Sequence, residues 1–211
     1  MILRLCVVSA VCVVLLTGCN VIGSTPEPTP AGNQWTGAPL NPPLTKPSFT
    51  LTDDHSVPFD FQADTAGKVT LLYFGYTHCP NLCPENMAMV AFALKDLPAA
   101  IRARIAVVFV TTDPTRDTPS VLATWLDKFN ATFIGLTGTV AQVNIAQATA
   151  RVALASPVPA ATGSGYLVDH AAQIIVYTPD DVGHLEFFEG MPASGVARDL
   201  DRLVTHGWTG D

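Results

Sequence analysis

The sequence predicts an α/β domain: a central mixed, mainly parallel sheet with flanking helices and an N-terminal β-hairpin. Two nearly unbroken apolar runs, residues 69–75 and 105–112, carry that prediction. Runs of this kind suit strands covered on both faces. Between them Met87, Val90, Leu94 and Leu97 recur at helical spacing, and Pro98 ends the pattern. Strand–helix–strand alternation places successive strands side by side, with the connecting helices on the faces of the sheet.

The remaining elements follow in order. Residues 49–51 and 57–61 flank Asp53-Asp54-His55-Ser56, a polar turn between apolar segments, which predicts the hairpin. Thr118 followed by Pro119 supplies a cap and a first helical turn for a helix over about 119–130. A further helix is expected over 139–152, strands over 173–177 and 184–189, and a last helix over about 193–205. No internal repeat is present.

Composition excludes several function classes. A chain of 211 residues that is 48% hydrophobic and 14% charged can bury one self-sufficient core and is no disordered acidic tail. Its formal charge of −7 argues against nucleic-acid binding, which needs a basic surface. Five cysteines in a chain of this length do not make a disulfide-stapled mini-domain.

The first residues read as an export signal. An apolar run over 5–16 follows Arg4 and is shorter than the ~20 residues a membrane-spanning helix needs. Leu16-Thr17-Gly18-Cys19 comes next and resembles a bacterial lipobox, which implies cleavage before Cys19 and a lipid on its sulfur. An ordinary secretory signal is the alternative. Residues 1–18 are thus the expected signal peptide. Residues 19–47, with seven prolines between 26 and 47, are the expected lipidated cysteine and extended spacer. Residues 48–208 form the expected domain. Cys6 and Cys12 would leave with the signal, so Cys79 and Cys83 would be the only free thiols.

Those thiols lie in Tyr73-Phe74-Gly75-Tyr76-Thr77-His78-Cys79-Pro80-Asn81-Leu82-Cys83-Pro84, where a buried strand hands over to a helix. In open α/β sheets this carboxyl end is where ligands bind. Cys83, followed by Pro84, is expected near the helix N-cap, where the partial positive charge favours thiolate, the form that attacks disulfides and ligates metals. The spacing can close a disulfide or grip one soft metal ion. A structural disulfide closing so short a loop would add only about 2 kcal/mol, which a domain of this size hardly needs.

The motif is similar to the signature of the Sco/SenC family of copper chaperones. Three further blocks match in order: Thr112-Asp113-Pro114-Thr115-Arg116-Asp117-Thr118-Pro119, Gly135-Leu136-Thr137-Gly138 and Tyr166-Leu167-Val168-Asp169-His170. The resemblance spans about 50–205. It implies a thioredoxin-like fold and a copper site made of Cys79, Cys83 and His170. Two soft thiolates and an imidazole suit Cu(I), and can hold Cu(II) with an added ligand; zinc accepts the same donors. Unaided, a lone histidine after Asp169 is more often a surface or hydrogen-bonded residue. The Pro/Gly-containing loop 155–165 before His170 would let it swing toward the thiols. His78 is read as supporting structure, because neighbouring side chains diverge, and His55, His184 and His206 as incidental. Asp113, Arg116 and Asp117 are expected to form an internally paired turn, with a role in supporting the site or docking a partner as the alternative. Met87 and Met89 do not share a helix face and are expected to pack. Two positions depart from the family pattern: Asn81, where many members carry an acid, and Ala171, where they tend to carry a hydroxyl.

The function implied by resemblance is a lipid-anchored extracytoplasmic chaperone delivering copper to the binuclear copper centre of cytochrome c oxidase subunit II. The alternative is a thiol–disulfide oxidoreductase working through Cys79 and Cys83, which does not require His170. A peroxiredoxin is disfavoured by paired thiols that are each followed by proline.

Overall fold

The computed structural model describes residues 35–160 and 165–210. The expected signal peptide, Cys19 and the first part of the spacer lie outside the described residues. Among the described residues, ten strands form one eight-stranded sheet and one two-stranded sheet. The large sheet runs in the order β1 (Ala38–Thr45), β10 (Val182–Phe187), β9 (Ile174–Tyr177), β4 (Val69–Gly75), β5 (Ile105–Thr111), β6 (Ile134–Thr137), β2 (Thr50–Asp53), β3 (Pro58–Asp60). Its centre is parallel, β4 to β5 to β6, and the pairings outside it are antiparallel. The β2–β3 hairpin forms at the expected place.

The apolar runs of β4 and β5 are explained by what covers them. Leu71, Tyr73, Val107 and Phe109 point into a core made with helices α2 (Leu82–Lys95), α4 (Pro119–Leu126) and α6 (Ala193–His206). Leu72, Phe74, Val108 and Val110 point the other way, onto Phe61 of the single-turn α1 (Phe61–Asp64) and Val143 and Ala146 of α5 (Val140–Thr149). Alternate side chains thus enter two cores, and neither strand has a solvent-facing side. Met87 and Met89 are buried in the first core, as packing residues. Thr118 caps α4 with its side chain, and Thr139 with Gln142 forms a capping box on α5. A short α3 (Ala99–Arg102) links α2 to β5.

Two segments correct the sequence reading. The spacer expected to run to residue 47 contributes strand β1, paired with β10. Its prolines are tolerated because an edge strand is bonded on one side only, and the register shifts between Pro39 and Leu44. The loop expected over 155–165 instead contributes to a second small sheet, in which β7 (Ser156–Pro159) pairs antiparallel with β8 (Tyr166–Asp169). Among the described residues no helix is long and apolar enough to cross a membrane.

Candidate metal centre

Strand β4 ends at Gly75 and α2 begins at Leu82, so both thiols sit on the intervening turn and the first helical turn. Cys83 is buried and Cys79 half-buried, and no disulfide joins them. Gly75 makes room for this corner: a Cβ there would come within 2.8 Å of Cys83 Sγ and of the Tyr73 ring. His170 follows β8 and reaches the same place from 87 residues further along the chain, with Nε2 3.5 Å from Cys83 Sγ. The ligand atoms of Cys79, Cys83 and His170 lie within 4.8 Å of one another, the only such cluster of three or more potential ligand residues among the described residues.

The imidazole is oriented for ligation. Its Nδ1–H donates to the Ala171 carbonyl at 2.8 Å, which leaves the Nε2 lone pair facing the sulfurs. Because Ala171 acts through its backbone, the departure at that position leaves this support intact. Tyr73 and Tyr76 pack edge-on against the ring, at centroid distances of 6.1 and 5.6 Å. Asn81 is exposed and its side chain makes no cap bond, so that departure alters the rim of the site and not its ligands.

The two thiols are electrostatically unlike. Cys79 is pulled down to about 3, chiefly by the hydrogen bond from the Cys83 thiol and further by His170 and the backbone N–H groups of Cys83 and Asn81. Cys83 is pushed above its ordinary value by that same bond and by burial. This corrects the expectation that the helix terminus activates Cys83. The first N–H groups of α2 point at the sulfur of Cys79, while Cys83 itself lies inside the first turn. His170 loses solvent, which opposes its charge. The bonds to Cys79 and the Ala171 carbonyl outweigh this and raise its pKa.

Sequence reasoning missed two supports. Tyr73 donates its hydroxyl to Cys83 Sγ at 3.5 Å. Asn86, wholly buried on α2, donates to the Ala172 carbonyl at 3.1 Å and so ties the segment after His170 to the helix that carries Cys83. A lone amide on the face shared by Cys83, Met87 and Val90 was the available signal. Asp117 lies buried beneath the motif and accepts from Thr77 N, Thr77 Oγ1 and Thr111 Oγ1 at 2.9, 2.6 and 2.7 Å. Arg116 pairs with Asp113, the internally paired turn that was expected. His78 turns away from the sulfurs toward Thr77 and Asp117 and is half-exposed. His55 is exposed, His184 pairs with Asp180 and stacks on Trp208, and neither joins the cluster.

The donor set fits a soft metal ion: one thiolate already formed, one thiol to be displaced of its proton, and one imidazole with a free nitrogen.

Residues 37–205 match the family model described as SCO1/SenC. A Stutzerimonas stutzeri protein named as copper-binding is 37% identical over 162 residues, covering 75% of this chain and 76% of that protein. The mitochondrial SCO2 protein of Saccharomyces cerevisiae is 36% identical over 132 residues, 63% of this chain. This chain spans about half the length of the yeast mitochondrial relatives, 44% of SCO2 and 52% of SCO1. Among solved structures, apo Sco1 from Thermus thermophilus superposes with a TM-score of 0.72 at 30% identity, covering 82% of this chain and 99% of that one. Bradyrhizobium japonicum ScoI, solved with copper bound, gives 0.67 at 30% identity, covering 75% and 98%. With its thioredoxin-like fold and four ordered motifs, the chain belongs to the SCO1/SenC family.

Proposed function

We propose that this protein is a copper chaperone that holds one copper ion between Cys79, Cys83 and His170 and hands it to a partner. The observation that carries this reading is the convergence of two thiols and an imidazole, from distant parts of the chain, within 4.8 Å. Two thiolates and an imidazole suit Cu(I) by softness, and a three-coordinate ion leaves room for an incoming ligand of the acceptor. The copper-bound Bradyrhizobium relative supports the choice of metal.

The finer assignments belong to the same proposal. The lipobox-like Leu16-Thr17-Gly18-Cys19 supports a lipid anchor at Cys19, and the proline-rich segment after it a spacer that holds the domain off an extracytoplasmic membrane surface. The acceptor implied by the family is cytochrome c oxidase subunit II, at its binuclear copper centre.

A second reading rests on the unlike thiols. A Cys79 sulfur held as thiolate beside a protonated Cys83 is the arrangement of a dithiol reductant, in which one thiolate attacks a partner disulfide and the other resolves it. The discriminating experiment is Cu(I) stoichiometry on the reduced chain and on His170→Ala. One copper per chain, lost or sharply weakened in the variant, supports the chaperone. Little copper on either protein, with the thiols still cycling against a disulfide substrate, overturns it in favour of the reductant.

A further inference from the structure

Strands β7 and β8 pair with each other and with no strand of the large sheet. An isolated two-stranded hairpin is marginal in water, so something else must fix the one that delivers His170. Val168 buries its side chain in the core, but apolar burial is non-directional and does not by itself set a register or an angle.

Beyond the bond between the Tyr76 hydroxyl and the Val168 backbone and the Asn86 tie to the Ala172 carbonyl, the directional contacts come from the turn after β5. Arg116 donates through Nε to Asp113 Oδ2 and through Nη1 to the Tyr166 carbonyl, 50 residues further on, at 3.3 Å. The Tyr166 hydroxyl returns to the other oxygen of the same carboxylate, Asp113 Oδ1, at 2.9 Å. The guanidinium lies over the Tyr166 ring at 3.9 Å and faces Tyr76 at 5.9 Å, and Tyr76 packs edge-on against His170. Asp113 is buried, Arg116 about a quarter exposed and Tyr166 half-buried, so these bonds are partly withdrawn from water. A residue that only closed its own turn would stop at Asp113. Arg116 spans the turn, β8 and the ring beside the histidine, which its flat, forked donor set allows and a lysine does not.

We propose that Arg116, braced by Asp113 and stacked on Tyr166, is a latch that holds β8 at the carboxyl end of the sheet and so fixes His170 opposite the two thiols. Arg116 and Tyr166 are positioning residues, since neither touches the sulfurs. The consequence for copper rests on the chaperone reading; the placement of His170 does not.

The test uses the full chain with Arg116→Lys, which keeps the charge but loses the fork, and Tyr166→Phe, which keeps the ring but loses the bond to Asp113. Exchange of the β8 amides should accelerate about tenfold in Arg116→Lys and in Tyr166→Phe, since each loses a hydrogen bond involving a charged group. Exchange in β4 and β5 should stay unchanged. Release of Cu(I) to excess bathocuproine disulfonate should quicken by about the same factor, and Arg116→Lys should add nothing in a His170→Ala background. Unchanged exchange in β8 overturns the latch. So does faster copper release that persists equally without His170, because Arg116 would then act on the thiols. If the parent chain binds no Cu(I), the chaperone reading fails by itself, and proton–proton NOEs between the His170 and Tyr76 rings decide the latch. Their loss in Arg116→Lys sustains it, and their retention overturns it.

Discussion

The site joins two regions built in opposite ways. The thiols stand at the tip of β4, whose seven residues are all buried and which is paired on both sides, to β5 and β9. His170 stands at the tip of β8, a four-residue strand with a single partner, β7, all of whose residues are exposed. The sulfur half is fixed by the core of the domain. The imidazole half is fixed by a handful of side-chain bonds laid across a small hairpin. Low local stability is common in elements that move during binding and release. Under the proposed chaperone function, this asymmetry would give two ligands that stay and one that can let go first.

If the sulfur half depends on the core, damage beneath it should cost global stability. Asp117→Ala should have the largest effect, since it strands Thr77 N and the Thr77 and Thr111 hydroxyls, all bonded to one buried carboxylate. About 3–5 kcal/mol should be lost, read as a lower urea midpoint. A loss under about 1 kcal/mol would show that the motif is not braced from below and would erase the contrast between the two halves.

Gly75→Ala comes next. The new methyl would meet Cys83 Sγ and the Tyr73 ring at 2.8 Å, and neither is the free end of a flexible chain. Overpacking of this kind costs about 1–3 kcal/mol, and here it also displaces a sulfur. Stability and copper stoichiometry should fall together. By contrast, Asn86→Ala cuts the tie from α2 to the Ala172 carbonyl and should weaken copper retention more than it lowers the urea midpoint. If both substitutions lowered stability and copper retention in the same proportion, the two halves would be one cooperative unit.

The same contrast governs what the sequence could disclose. β4 and β5 were legible because burial on both faces leaves an unbroken apolar run, a signal confined to consecutive residues. The edge strand β1 was not, because Pro39, Pro42 and Pro43 read as spacer while their positions on an outer strand excuse them from the ladder. β7 holds Pro157 and Pro159 and no buried residue, so neither periodicity nor propensity announces it. Cys79 and Cys83 were found from their spacing, but not which sulfur ionises; that depends on which thiol donates its proton to the other and which is the more deeply buried, a matter of a few ångströms. His170 came from resemblance alone, since its meeting with Cys83 across 87 residues is a property of the fold and leaves no local pattern.

Protons give the finest probe of the imidazole half. Cys79, held at about 3, is thiolate throughout the neutral range and releases nothing when copper binds. Cys83 keeps its proton well above neutrality, so copper must displace that one at every ordinary pH. His170 differs from both: its pKa is raised above the ordinary histidine value, and below that point a second proton must leave before Nε2 can ligate. Copper binding should therefore release one proton well above the His170 pKa and two well below it. The added cost as the solution is acidified through that range is about 1.4 kcal/mol per pH unit. His170→Ala should release one proton across the whole range, measured by dye-monitored titration with Cu(I). A second proton that survived in the variant would have to come from the sulfurs. The division between a thiol half settled by the core and an imidazole half that answers to pH would then be lost.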